Sequence, residues 1–141
     1  MSAGEIMEGR LMEDGILISA LLFENSAIQV FRLDGVKGNE IRIGREVCRI
    51  LDGLNDIAGA EFMFPGTSMN TQFMYEEISK CSPGISIFGG YPGGHKLNSP
   101  EHFIFNDDEV MYDSLLLIAY IVIWHGLTTK CMPFTGRVWS T

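Results

Sequence analysis

Residues Ile85 to Asp107 read ISIFGGYPGGHKLNSPEHFIFND, and the reading of this crossing decides the fold. Apolar residues at each end, Ile85–Phe88 and His102–Phe105, predict two strands. Between them lie glycines and prolines that neither a strand nor a helix retains. A phosphate loop would need G-x-x-x-x-G-K-[ST] or G-x-G-x-x-G opening a helix. Here Lys96 follows His95 rather than a glycine, and no helical pattern follows. The architectural reading is that Gly89, Gly90, Gly93 and Gly94 let the backbone turn tightly where two strands of one layer hand over. A second reading is that the same glycines let backbone approach a ligand closely.

Working outward toward the C-terminus, the polar turn NDDE (Asn106–Glu109) joins the second of these strands to a third, Val110–Trp124. That strand contains LLLIAYIVIW, a β-branched and aromatic run too short to span a bilayer as a helix. It reads as a strand buried on both faces. Toward the N-terminus, Thr71–Cys81 has helical spacing, with Phe73, Met74, Ile78 and Cys81 inward. Glu61–Phe64 reads as a short strand. Asn39–Ala58 has Val47, Ile50, Leu51, Leu54, Ile57 and Ala58 on one face, with Asn39 at the N-cap and Gly59 just past the end. Gly44 and Gly53 weaken that helix. Gly15–Glu24 and Ala27–Leu33 predict an antiparallel strand pair turning at Asn25-Ser26. The segment CMPFTGRVWST begins one more strand near Arg137. The resulting fold class is α+β: a mixed, largely antiparallel sheet flanked by two helices in the order β-β-α-β-α-β-β-β.

The length of 141 residues, with 46% apolar and 20% charged, fits one domain with a real core. A net charge of −8 without a Lys/Arg cluster disfavours nucleic acid and anionic membrane as partners. Cys48, Cys81 and Cys131 form no close pair and read as reduced thiols in a cytoplasmic protein. Met1–Gly9 is acidic and lacks the apolar segment of a signal peptide.

Candidate chemistry is sparse. His95, His102 and His125 fall on three different elements without zinc-ligand spacing, so no metal is expected. No G-x-S-x-G occurs. Asp107, Asp108 and Glu109 read as a solvated hairpin tip, since Asn and Asp bond their own backbone there. Phe62, Phe64, Phe88, Phe103 and Phe105 read as core. No catalytic residue and no cofactor is expected.

Two stretches carry a resemblance. SAGEI (Ser2–Ile6) followed by LMEDGILISALLFENSAIQV (Leu11–Val30) is similar to the opening of the FIST N-terminal domain. There Ser-x-Gly-Glu leads through a glycine-containing turn into an apolar strand. Pro83–Gly126 resembles the family's second hallmark, here Phe88-Gly89-Gly90, Ile104-Phe105, Asn106-Asp107, Glu109-Val110, Asp113 and Gly126. Asp107-Asp108 and Asp113-Ser114 depart from the family's Asp-Gly. The family also has a strand and helix ahead of the first hallmark and a second domain after the last. The resemblance therefore implies that residues 1–141 form a single domain of this type, incomplete on its N-terminal side, whose missing neighbours leave a sheet edge exposed.

The same resemblance implies function. The family's domains are regarded as intracellular sensory modules of signalling proteins that bind small molecules such as amino acids. In one eukaryotic setting they recruit substrates to a ubiquitin ligase. The expectation is a non-enzymatic small-ligand sensor in the cytoplasm, with Ser2, Gly4, Glu5, Gly89, Gly90, Gly94 and His95 lining the site. Glycine N–H groups would hold a carboxylate and Glu5 an amino group. The alternative is recruitment of a protein partner, or self-association, through the exposed edge. A second resemblance, of HKLNSPEHFIFNDDEV to the C-terminal end of M20-type metallopeptidases, implies that His95 is a zinc ligand in a remnant of an amidohydrolase. The other ligands of that family have no counterpart in this chain.

Overall fold

A computed structural model gives the architecture and describes residues 5–7, 9–12, 18–66, 69–81, 84–92 and 102–123. In chain order the elements are β1 (Glu5–Met7), β2 (Arg10–Met12), β3 (Ser26–Asp34), α1 (Glu40–Asp52), β4 (Ile57–Met63), α2 (Thr71–Ile78), β5 (Ser86–Gly90), β6 (Ile104–Asn106), β7 (Glu109–Met111) and β8 (Ser114–Val122). This is the expected α+β fold, with its strands subdivided more finely. The main sheet has the order β3-β8-β4-β5, antiparallel except for the β4–β5 pair. Among the described residues its one parallel step is made by β4-α2-β5.

The apolar run in β8 takes the central position. Leu115 and Leu117 face the helices and Leu116 faces away, and all three are buried. Leu33, Ala60, Phe62 and Phe64 line the same face as Leu115 and Leu117. Ile43, Val47 and Leu51 of α1 and Met74 and Ile78 of α2 complete the core against them. Full burial of each large side chain here contributes about 1.5–3 kcal/mol. The helix α1 follows from apolar residues three and four apart, with Glu40 in its first turn and Arg49 in its last. It crosses α2 so closely that a Cβ on Gly44 would lie 2.8 Å from the Met74 carbonyl oxygen and from the Glu77 Cβ. The glycine that weakens the helix is thus what allows the crossing. The Asn70 side chain caps α2, accepting from the Gln72 N–H at 3.1 Å.

Several expectations are corrected. The helix expected over Asn39–Ala58 stops at Asp52. The Gly53 N–H bonds the Arg49 and Ile50 carbonyls, and Ile57, Ala58 and Gly59 belong to β4. The Asn39 side chain does not cap α1; its amide donates to the Gly35 carbonyl at 3.0 Å. Residues 18–25 carry no strand, and β3 pairs with β8 instead of with that run. Phe73, Phe88, Phe103 and Phe105 are exposed, so the core aromatics are Phe62 and Phe64. The strands flanking the glycine crossing do not share a layer. β5 edges the main sheet, whereas β6 pairs with β7 in a separate hairpin. The strand expected near Arg137 lies outside the described residues.

Cys48 and Cys81 are also corrected. They are joined in a disulfide, with Cα atoms 5.7 Å apart. The sequence separation of 33 hid the pairing, because only the packing of α1 on α2 brings the two together.

The acidic residues of the second hallmark have structural duties. Arg32 of β3 bonds Asp34 at 2.6 Å and Glu109 of the hairpin at 2.5 Å. The Ser114 hydroxyl also donates to Asp34 at 2.6 Å, and these bonds, Ser114 first, hold the Asp34 carboxyl below its ordinary range. Asp113 takes the Gly35 N–H on its carbonyl and the Lys37 N–H on its side chain, both at 2.9 Å.

Candidate functional site

Side chains alternate across a strand, so the residues between the core positions share the second face of the sheet. Register places Arg32, Leu116, Met63 and Gly90 in one row across that face. Val30, Ile118, Glu61 and Phe88 form the next row, and Ile28, Tyr120, Gly59 and Ser86 the third. Both helices pack on the opposite face. The β6–β7 hairpin covers one end of this second face, where Ile104 and Met111 bury Leu116. Beyond the hairpin the floor is open: Ile28 is 41% exposed, Val30 48% and Phe88 49%.

One carboxylate stands in this apolar floor. Glu61 is half-buried and accepts a 2.6 Å hydrogen bond from the Tyr120 hydroxyl. The Phe88 ring stacks on Tyr120 at 5.8 Å, and Phe23 meets the same ring edge-on at 6.0 Å. Burial, and then the bond to Glu61, push the Tyr120 hydroxyl up to about 12. At neutral pH Tyr120 is therefore a neutral donor. Among the described residues no Lys, Arg or His pairs with Glu61. A carboxylate with no counter-ion among the described residues, bordered by aromatic faces, has the chemistry to take an ammonium group. Charge and a hydrogen bond come from Glu61, and cation–π attraction from the rings.

Of the residues anticipated from sequence, Ser2, Gly4, Gly94 and His95 lie outside the described residues. Glu5 begins β1, which pairs with β2 in a separate two-stranded sheet. Gly89 and Gly90 end β5 beside Phe62 and Met63. Gly89 has φ +146, and a Cβ there would press into the Phe62 peptide, 2.8 Å from its carbonyl carbon. The Gly90 carbonyl accepts the Phe64 N–H at 3.1 Å. Both glycines hold the sheet together at this point. Sequence reasoning missed Glu61 and Tyr120 and took Phe88 for core. The available signal was a single carboxylate inside the apolar strand AEFMF.

Elsewhere the chemistry is thin. A shallow depression of about 510 Å³ between the end of α1 and the end of β8 has, among the described residues, Asp56 as its one ionisable lining residue. The His102 Nε2 is buried with no hydrogen-bond partner among the described residues. Among those residues no group of three potential metal ligands occurs, and no helix is long and apolar enough to cross a membrane.

A profile of the FIST N domain matches residues 1–138, nearly the whole chain and both of the stretches that carry the resemblance. No curated protein and no solved structure matches it.

Proposed function

This chain belongs to the FIST N domain family, and from that premise we propose that it is a non-catalytic, small-ligand-sensing module of a signalling protein. Its ligand is an amino acid or a related small amine held on the open sheet face. The observation that carries this reading is the Glu61 carboxylate, which among the described residues is bonded by a neutral tyrosine alone and is set among Phe88, Tyr120, Val30 and Ile118. The ligand's ammonium group supplies a counter-ion to Glu61, and its apolar part rests on the exposed floor. Ser2, Gly4, Gly94 and His95 are the sequence's further candidates for lining the site, with glycine N–H groups for the ligand's carboxylate end.

A charge-assisted hydrogen bond contributes about 1.5–3 kcal/mol. Losing it in Glu61→Gln therefore weakens binding by roughly 10- to 150-fold. The test is a thermal-shift screen of amino acids and simple amines on wild type and Glu61→Gln. A ligand that stabilises wild type and not the variant supports the reading. A ligand that stabilises both equally removes Glu61 from the site.

Recruitment of a protein partner is the second reading, favoured by the exposure of Ile28 and Val30 on the same face. On that reading no small molecule shifts the melting temperature.

A further inference from the structure

Among the described residues strand β3 is an edge of the main sheet, and the side that faces away from β8 can be read from the hydrogen bonds at its two ends. The Ile123 N–H donates to the Asn25 carbonyl at 3.0 Å, and the Gly35 N–H donates to the Asp113 carbonyl at 2.9 Å. Both contacts continue the β3–β8 register, so Asn25, Ala27, Gln29, Phe31, Leu33 and Gly35 direct their backbone groups toward β8. Ser26, Ile28, Val30 and Arg32 therefore turn their N–H and C=O groups away from the sheet. The strand is nine residues long and contains no proline and no lysine, two of the usual devices that blunt an edge. Two of its outward residues, Ile28 and Val30, also have exposed apolar side chains.

We propose that this edge pairs with the β3 edge of a second copy of the chain, antiparallel about a two-fold axis at Ile28, to make one continuous sheet. Only registers that place outward residues opposite outward residues form the ladder, and charge selects among them. Centred on Ile28, the pairing sets Ser26 opposite Val30 and Arg32 opposite Glu24 of the second copy. Centred one residue later, on Gln29, it sets Glu24 opposite Asp34, carboxylate against carboxylate. The Ile28-centred register thus joins opposite charges at both ends of the seam. It also joins the two open faces side by side. The proposal is independent of the ligand reading, since it uses backbone groups and Glu24 rather than Glu61.

The test is sedimentation velocity of the full chain from low to high micromolar concentration. Wild type should shift with concentration from 15.7 kDa to twice that mass. Glu24→Arg and Arg32→Glu should each weaken the dimer by ~10-fold or more, and an equimolar mixture of the two should restore it as a heterodimer. Val30→Pro removes an N–H that faces away from β8, so it should leave the unfolding transition in place while abolishing the dimer. Arg32→Glu also breaks the contacts to Asp34 and Glu109, so Glu24→Arg and Val30→Pro decide the matter should Arg32→Glu fail to fold. A chain that stays monomeric at high micromolar concentration overturns the proposal. So does a dimer indifferent to Glu24→Arg and Val30→Pro.

Discussion

Replacing Gly44 by alanine sets two magnitudes against each other. In an unobstructed helix interior the change stabilises by about 1 kcal/mol through backbone entropy. Here the added methyl would lie 2.8 Å from the Met74 carbonyl oxygen and the Glu77 Cβ, and 3.3 Å from the Met74 Cα. None of these atoms can rotate away, so α1 and α2 must separate. The disulfide between Cys48 and Cys81 resists that separation one turn further along α1. Overpacking of this kind costs about 1–3 kcal/mol, and the unpacking of Ile43 and Met74 adds to it. The net expectation is a loss of about 1–2 kcal/mol despite the better helix former. With an unfolding entropy of about 0.3 kcal/mol per kelvin for 141 residues, Tm falls by about 3–7 °C. Scanning calorimetry reads this directly. Gly53→Ala is the control, because Gly53 is at the C-cap with φ −82, which alanine adopts freely. It should move Tm by less than about 2 °C. A Gly44→Ala protein that melts at or above the wild-type temperature would refute the helix crossing described above.

Other consequences follow from the same contacts. The Cys48–Cys81 link closes a loop with a sequence separation of 33, which chain entropy equates to about 3.7 kcal/mol. Cys48→Ser, or reductant, should therefore lower Tm by about 12 °C, and an unchanged Tm in reductant counts against the bond. Asp113→Ala removes the acceptor of the Lys37 N–H and should cost about 1–2 kcal/mol in urea unfolding, with Asp113→Asn retaining most of it. Tyr120 is raised to about 12 in the fold against about 10 in the unfolded chain, so the fold favours the protonated form. Its contribution to stability should be complete below pH 10 and lost as the pH rises through about 12. Tyrosinate absorbance should show Tyr120 titrating late, beside Tyr75, which burial also raises, and Glu61→Gln should bring the Tyr120 step earlier while leaving that of Tyr75 in place.

The sheet was legible where pattern and burial coincide. LLLIAYIVIW announces β8 because a central strand has no polar face to interrupt it. The start of α1 was legible, but its end was not. Leu54, Ile57 and Ala58 continue the helical spacing by accident, across a break made by the Gly53 N–H bonds and by Asp56 at φ +57. Gly15–Glu24 is apolar enough for a strand. Strand pairing is a tertiary event, however: residues 18–25 form no strand, and among the described residues β3 pairs with β8 alone. The hairpin NDDE was read correctly as a turn, whereas the duties of Glu109 and Asp113 depend on partners some 76 residues away. The candidate site was the least legible part. Glu61 meets Tyr120 only through the β4–β8 register, and a single glutamate in an apolar strand does not reveal which side chain will face it.

The claim on which the functional reading rests is that the Glu61 carboxylate, on the open face of the sheet, takes the ammonium group of a small ligand. A proton–nitrogen correlation NMR titration with amino acids and simple amines addresses it residue by residue. The account predicts saturable shifts clustered at Val30, Glu61, Phe88, Ile118 and Tyr120, and their disappearance in Glu61→Gln. Shifts confined to other surfaces, or a full set of shifts retained in Glu61→Gln, would contradict it.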